Sequence, residues 1–373
     1  MINEQRMLDE FLQLVQIDSE SRDEKEIAAC LKQKLVELGL SVYEDDTAAI
    51  TGHTAGNLIA EWKGNKAGVD PILFTCHMDT VAPGVSVKPV IREGVVYSDG
   101  TTVLGADDKA GIAALLEAIR VMNENQIPHG DVQLIFTVGE EIGLVGSKAM
   151  DASALKAKFG YALDGGGAVG SQYIAAPTQA KLFINIHGKT AHAGVEPEKG
   201  ISAITIASKA IANMPLGRID EETTANIGCI EGGTSTNVVC EHVYMEAEAR
   251  SLVKEKMEAQ VNTMKTAFEA AANEMGGRAD VEVKIMYSEF KFDENAELVQ
   301  VAARATEKIG RKPSVHHTGG GSDGNIFNGH GVPTTILGVG YEEIHTKNER
   351  MPIAELNKLA ELTIAIIEEV ANK

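Results

Sequence analysis

The sequence predicts an α/β protein in two parts: a discontinuous α/β layer with a mainly parallel sheet, and a compact module inserted into it. Two observations carry that prediction. Short apolar runs alternate with helix-period stretches up to about residue 178, which is the signature of strands covered by crossover helices. After Pro177 the order changes to strand, helix, strand, strand, helix, strand, and the alternation resumes near Phe292. The expected boundaries are therefore 1–178 with 292–373 for the α/β domain and 179–291 for the insertion. A chain of 373 residues with 44% apolar content is long enough to build both.

Residues 4–16 and 23–39 read as helices. In the second, Ile27, Leu31, Leu35 and Leu38 fall on one face and Gly39 offers a stop. Strands are expected at 56–62, 71–76, 132–138 and 161–163. Helices are expected at 109–124, where Ile112, Leu115, Leu116 and Ile119 form a stripe, and at 147–157. Within the insertion, strands are expected at 180–187, 225–231, 238–250 and 281–289, with helices at 201–214 and 254–276. That βαββαβ order is the ferredoxin-like, split βαβ arrangement. An amphipathic helix at 353–371 closes the chain.

A net charge of −20 argues against nucleic acid, which demands a basic surface, and against anionic membranes. No apolar run approaches the ~18 residues of a membrane span, and the first ten residues lack a signal-peptide pattern. Cys30, Cys76, Cys229 and Cys240 have no CxxC spacing and fit reduced thiols of a cytoplasmic protein. Cys76 adjoins His77 but is expected on the opposite face of its strand.

Chemistry gathers at the ends of the apolar runs. His77 closes Pro71–Cys76, Glu140 and Glu141 follow 132–138, Asp164 follows Tyr161-Ala-Leu, and His345 follows 335–340. Asp107 precedes a helical stretch. Open α/β sheets collect ligands outside the carboxyl ends of their strands, so one crevice can gather all five metal-grade groups, His77, Asp107, Glu141, Asp164 and His345. This is the ligand set of a two-metal hydrolase, and mixed imidazole and carboxylate donors suit zinc, with manganese or cobalt as alternatives. Of the adjacent Glu140 and Glu141, one can bind metal while the other stays free to carry a proton. Asp79, two residues past His77, can accept the other imidazole N–H and fix the tautomer.

His77-Met-Asp79, Gly105-Ala-Asp-Asp-Lys-Ala-Gly111, Glu140-Glu141, Asp164-Gly-Gly and His345, in that order, resemble the M20 metallopeptidase family, most closely its peptidase T (tripeptidase) branch. The resemblance implies a zinc-peptidase α/β domain whose insertion serves as lid and dimerisation domain. It makes Asp107 the bridge between two Zn²⁺, with His77 and Asp164 on one ion and Glu141 and His345 on the other. Glu140 becomes the general base and Asp79 the partner of His77, and the Asp107–Asp108 peptide is expected to be cis. His192, in Gly188-Lys-Thr-Ala-His192, would serve the site of a partner subunit in a homodimer. Asn237 and Arg250 match positions that hold substrate, Arg250 through a bidentate grip on a carboxylate. The turn 319–324, with Gly320 and Ser322, would face the substrate; without a strand–GK[ST]–helix context it is not a phosphate loop. His53, His187, His242, His316 and His317 receive no role.

The expected activity is release of the N-terminal residue of short peptides, tripeptides above all. A carboxypeptidase or acyl-amino-acid deacylase is the alternative within the family, and a non-catalytic metal- or peptide-binding protein the alternative outside it. Retention of Glu140 weighs against the last, because a binding site has no use for a second carboxylate there.

Overall fold

The computed structural model describes residues 2–372 and resolves into two compact units, one of residues 2–175, 292–317 and 322–372 and one of residues 176–291 and 318–321. The first is built on a twisted mixed sheet. Its centre is four parallel strands in the order Val132–Thr137, Ile72–His77, Phe159–Gly165 and Thr334–Gly338. Leu58–Trp62 and Ser41–Glu44 extend one side antiparallel, and the strand starting at Ser171 extends the other. Every residue of Ile72–His77 and Val132–Thr137 is buried, as parallel strands covered on both faces require.

Helices supply that cover. Glu4–Val15, Ala106–Glu124, Glu297–Lys308 and Ile353–Ala371 contribute to the main core, which takes in Phe11, Ile112, Leu115, Phe74, Tyr161 and Ile366. Tyr161 is fully buried there, its hydroxyl donating to the Leu298 carbonyl (2.8 Å) so that no polar atom is stranded. A smaller cluster, Ile59, Leu73, Ile135, Met150, Phe327 and Val332, forms a separate apolar patch.

The second unit is a five-stranded antiparallel sheet in the order Gly217–Arg218, Thr223–Gly232, His242–Ser251, Thr178–His187, Arg278–Tyr287. Helices Ala203–Ala212 and Lys254–Met275 pack on it around Leu182, Ile184, Ile186, Met245, Met264 and Phe268. Apart from the short strand Gly217–Arg218, this is the split βαβ arrangement that the element order anticipates.

Three elements depart from expectation. The helix expected at 147–157 is a short Val145–Ala149 helix and a single turn at Ala152–Ala154, because the Asp151 carboxylate accepts the Ser153 N–H (2.9 Å) and starts a new turn. The strand expected from 238 begins at His242; Gly233, at φ +82°, takes the chain out of the preceding strand, and Val238 meets His192 in an isolated bridge. The helix expected from 109 is assigned from Ala106, but Asp107 and Asp108 are not helical within it.

Candidate metal centre

The parallel strands end side by side, and their ends deliver the donors. His77 is the last residue of its strand, Asp164 lies near the end of Phe159–Gly165, and Glu140 and Glu141 follow Val132–Thr137 in the adjoining loop. Asp107 arrives at the start of its helix. His345 comes from the loop after Thr334–Gly338 and holds φ at +62°, a region non-glycine residues rarely adopt and which is characteristic of functional loops.

Asp107 divides the group in two. Its Oδ1 is 3.1 Å from His77 Nε2, which is 3.7 Å from Asp164 Oδ1. Its Oδ2 is 3.3 Å from His345 Nε2, which is 2.9 Å from Glu141 Oε1. Donor atoms of His77, Asp107 and Glu141 lie within 4.8 Å of one another. One carboxylate thus presents a separate oxygen to each of two donor sets.

The surrounding protein holds these groups by their backbone. Buried Glu349 accepts the N–H groups of Leu104 and Gly105 (both 2.8 Å) and of Asp107 (3.0 Å), and the Asp107–Asp108 peptide is cis. The role expected of Asp79 is altered in one respect. His77 Nδ1 lies 2.9 Å from the Asp79 backbone carbonyl and 3.5 Å from its carboxylate, so the carbonyl fixes the tautomer. The Asp79 carboxylate instead accepts the Glu140 N–H (3.0 Å), the Glu141 N–H (3.3 Å) and the Ser21 hydroxyl (2.6 Å). It is buried, and it holds the glutamate pair. Cys76 is buried and directed toward Asp108.

Electrostatics shows what this cluster demands. Burial raises the Asp164 carboxyl to about 7 and pushes Glu140 and Glu141 up as well. Hydrogen bonds to Asp107 and Glu141 raise His345 to about 10. Burial would raise Asp107 too, but His345 and His77 outweigh it and hold it below its ordinary range. Four carboxyls share the space with two imidazoles that cling to their protons, so the site attracts positive charge. Its nitrogen and oxygen donors, split by Asp107 into two sets, fit a pair of divalent cations of the zinc class.

The remaining expected residues lie elsewhere in the fold. In the second unit, His192 Nδ1 accepts the Gly194 N–H (3.2 Å), and Asn237 takes the Ser235 hydroxyl. Arg250 is already engaged: Nε and one terminal nitrogen grip Glu248 (2.9 and 3.1 Å), and the other donates to the Gly319 carbonyl (3.1 Å). Gly320 donates its N–H to Thr318 Oγ1 (3.0 Å). In the first unit, buried Ser322 caps helix Asp323–Gly329, and Asp323 receives the hydroxyls of Thr137 and Ser147. Sequence reasoning missed Ser21, Glu24, Asn57, Asp323 and Glu349. Each reaches the site through backbone or hydroxyl groups; Ser21, Glu24, Asn57 and Glu349 come from segments with no local pattern, and Asp323 from the turn 319–324, whose pattern draws attention to Gly320 and Ser322 instead.

Known proteins resemble this chain along nearly its whole length. The sequence profile of peptidase family M20/M25/M40 matches residues 73–369. The chain is 62% identical, over all of both chains, to the uncharacterized protein YqjE of Bacillus subtilis (strain 168). It is similar to the crystal structure of the aminopeptidase PepT from Bacillus cereus ATCC 10987, at 63% identity and a TM-score of 0.94 over 99% of each chain. It also resembles that of a tripeptidase from Staphylococcus aureus subsp. aureus Mu50, at 49% identity and a TM-score of 0.97 over the whole of both.

Proposed function

Because the chain belongs to peptidase family M20/M25/M40, we propose that it is a two-zinc aminopeptidase that removes the N-terminal residue of short peptides, with tripeptides its best substrates. The observation that carries the proposal is Asp107, whose two oxygens each face their own imidazole and carboxylate. The names of two similar solved structures, an aminopeptidase and a tripeptidase, support the substrate class.

In this reading His77, Asp107 and Asp164 would hold one cation, and Asp107, Glu141 and His345 would hold the other. When bound, the pair supplies the Lewis acidity that polarises a scissile carbonyl and acidifies water. Glu140 takes the proton of the attacking water on its carboxylate and passes it to the leaving amine. Asp79, through the Glu140 N–H, sets the direction of that carboxylate. His192, Asn237, Arg250, Gly320 and Ser322 contact the peptide, and residues 179–291 act as lid and dimerisation domain.

A panel of di-, tri- and tetrapeptides and N-acetyl amino acids, assayed alongside metal analysis, tests this. Tripeptides are expected to be cut best, with about two zinc ions per chain. Release of acetate from N-acetyl amino acids with no peptide cleavage would reassign the activity to the deacylases.

A further inference from the structure

Residues 138–141 lead from the strand Val132–Thr137 into the glutamate pair, and four successive N–H groups in this stretch donate to side chains. Val138 donates to Asn57 Oδ1 (3.2 Å), Gly139 to Glu24 Oε1 (3.1 Å), and Glu140 and Glu141 to the two oxygens of Asp79 (3.0 and 3.3 Å). Asn57 also donates through Nδ2 to the Gly146 carbonyl (2.9 Å), so one buried amide ties both ends of the loop 138–146. Asp79 already has a part in the proposed chemistry, but Glu24 and Asn57 have none.

Glu24 lies at the start of helix Lys25–Glu37, fully buried, and also accepts the Arg22 N–H (2.9 Å). His53 stands beside it, Nε2 3.7 Å from Glu24 Oε1. Gly139 rests against this pair at φ +59°, and a Cβ there would fall 2.4 Å from His53 Nε2. The backbone therefore sits where only glycine fits, closed in by His53 and hydrogen-bonded to Glu24. Oε1 of Glu24 thus takes both the Arg22 and the Gly139 N–H while Oε2 has no hydrogen-bond partner among the described residues, and a buried carboxylate so placed is costly unless the placement matters.

We infer that Glu24, with His53 and Asn57 beside it, is a positioning residue for Glu140: it fixes Gly139, and through it the direction in which the next residue presents its carboxylate. The inference rests on Glu140 being the general base of the proposed peptidase. A general base has to lie within hydrogen-bond reach of the proton it takes, and displacement of about 1 Å can cost about 10²-fold. Loss of the Glu24 acceptor frees Gly139 but leaves every cation-binding side chain in place.

Two readouts test it. With a tripeptide substrate, Glu24→Ala is expected to lower kcat about 10–100-fold, with KM changed less than about threefold and zinc content unaltered. Glu24→Gln keeps a carbonyl oxygen for the Gly139 N–H and is expected to recover kcat to within about fivefold of wild type. In chelator-treated protein, where activity plays no part, deuterium uptake over 138–146 is expected to rise in Glu24→Ala and to stay near wild type in Glu24→Gln. Should Glu24→Ala fail to fold, Glu24→Asp, one methylene short of Gly139, replaces it with the same expectations. Wild-type kcat and wild-type uptake in a folded Glu24→Ala protein overturn the inference. So does a Glu24→Gln protein as impaired as Glu24→Ala, since charge rather than the hydrogen bond would then be responsible. A wild-type enzyme with no action on tripeptides would remove the proposed function, while the exchange comparison would still decide whether Glu24 holds the loop.

Discussion

One hydrogen bond, from the Glu140 N–H to the Asp79 carboxylate, joins two residues 61 apart in sequence. Glu140→Gln retains the shape but not the base, so kcat is expected to fall by about 10²–10⁴ while zinc content stays at the wild-type level, as metal analysis of the purified variant would show. Asp79→Asn keeps one acceptor oxygen and turns the other into an NH₂ group. That group would face either the Glu141 N–H or the Glu140 N–H, and a drop of about 10–100-fold in kcat is expected. Arg250→Ala is expected to lower kcat/KM for a tripeptide and to narrow the gap between the peptide acid and its amide; an unchanged acid-to-amide ratio would separate Arg250 from carboxylate recognition. At this scale the sequence was legible where chemistry is local. His77 and Asp79, or Glu140 and Glu141, announce themselves by spacing. Glu24 and Asn57 act on amides 115 and 81 residues away, and Glu349 on one 242 residues away. Such polar side chains look like surface residues until the fold closes over them.

Elements built from continuous apolar runs were read correctly, because burial on both faces leaves a strand no polar alternation. Those that failed were decided by single turns. Asp151 ended a helix early, and Gly233 turned the chain out of one strand well before the next began at His242. The loop from Val138 to Gly146 had no periodicity to read, since the amides of 138–141 are satisfied by side chains and those of 143–146 by carbonyls of the loop itself rather than by a ladder. Gly139→Ala probes it directly. The added methyl meets His53 Nε2 at 2.4 Å and the residue must keep φ near +59°, so a loss of about 1–3 kcal/mol in urea unfolding is expected. A variant as stable as wild type would mean the loop can abandon its seat without penalty.

For the molecule as a whole, the cluster of buried carboxyls ties stability to cations. Chelation is expected to lower the melting temperature and abolish activity together, and added zinc to restore both, because a ligand bound only by the folded state stabilises it. Glu24 adds a pH dependence of known sign. Burial raises its carboxyl from 4.5 to about 7, so the folded chain holds this proton more tightly than the unfolded one. Its contribution is fully present below pH 4.5 and is lost as pH rises through 7. Measured against wild type in chelator, Glu24→Gln is therefore expected to gain in relative melting temperature between pH 5 and pH 8; no trend would mean that Glu24 titrates alike in both states. Charge and length had bounded the molecule from the start, but this coupling depends on which carboxyls are enclosed, and composition does not contain that.

One detail of the chain's path bears on inheritance. Residues 318–321 belong to the second unit although both flanking segments belong to the first, and Arg250 bonds to the Gly319 carbonyl there. Gly321 leaves no room for a Cβ, which would lie 2.3 Å from the Tyr287 ring. A cut at residues 176 and 291 would not lift out a self-contained cassette, since it would leave this short strip of main chain behind without its counterpart. Recombination that exchanged the inserted segment between relatives would succeed only where the strip travelled with it, so the two stretches are expected to be grafted as one unit or not at all.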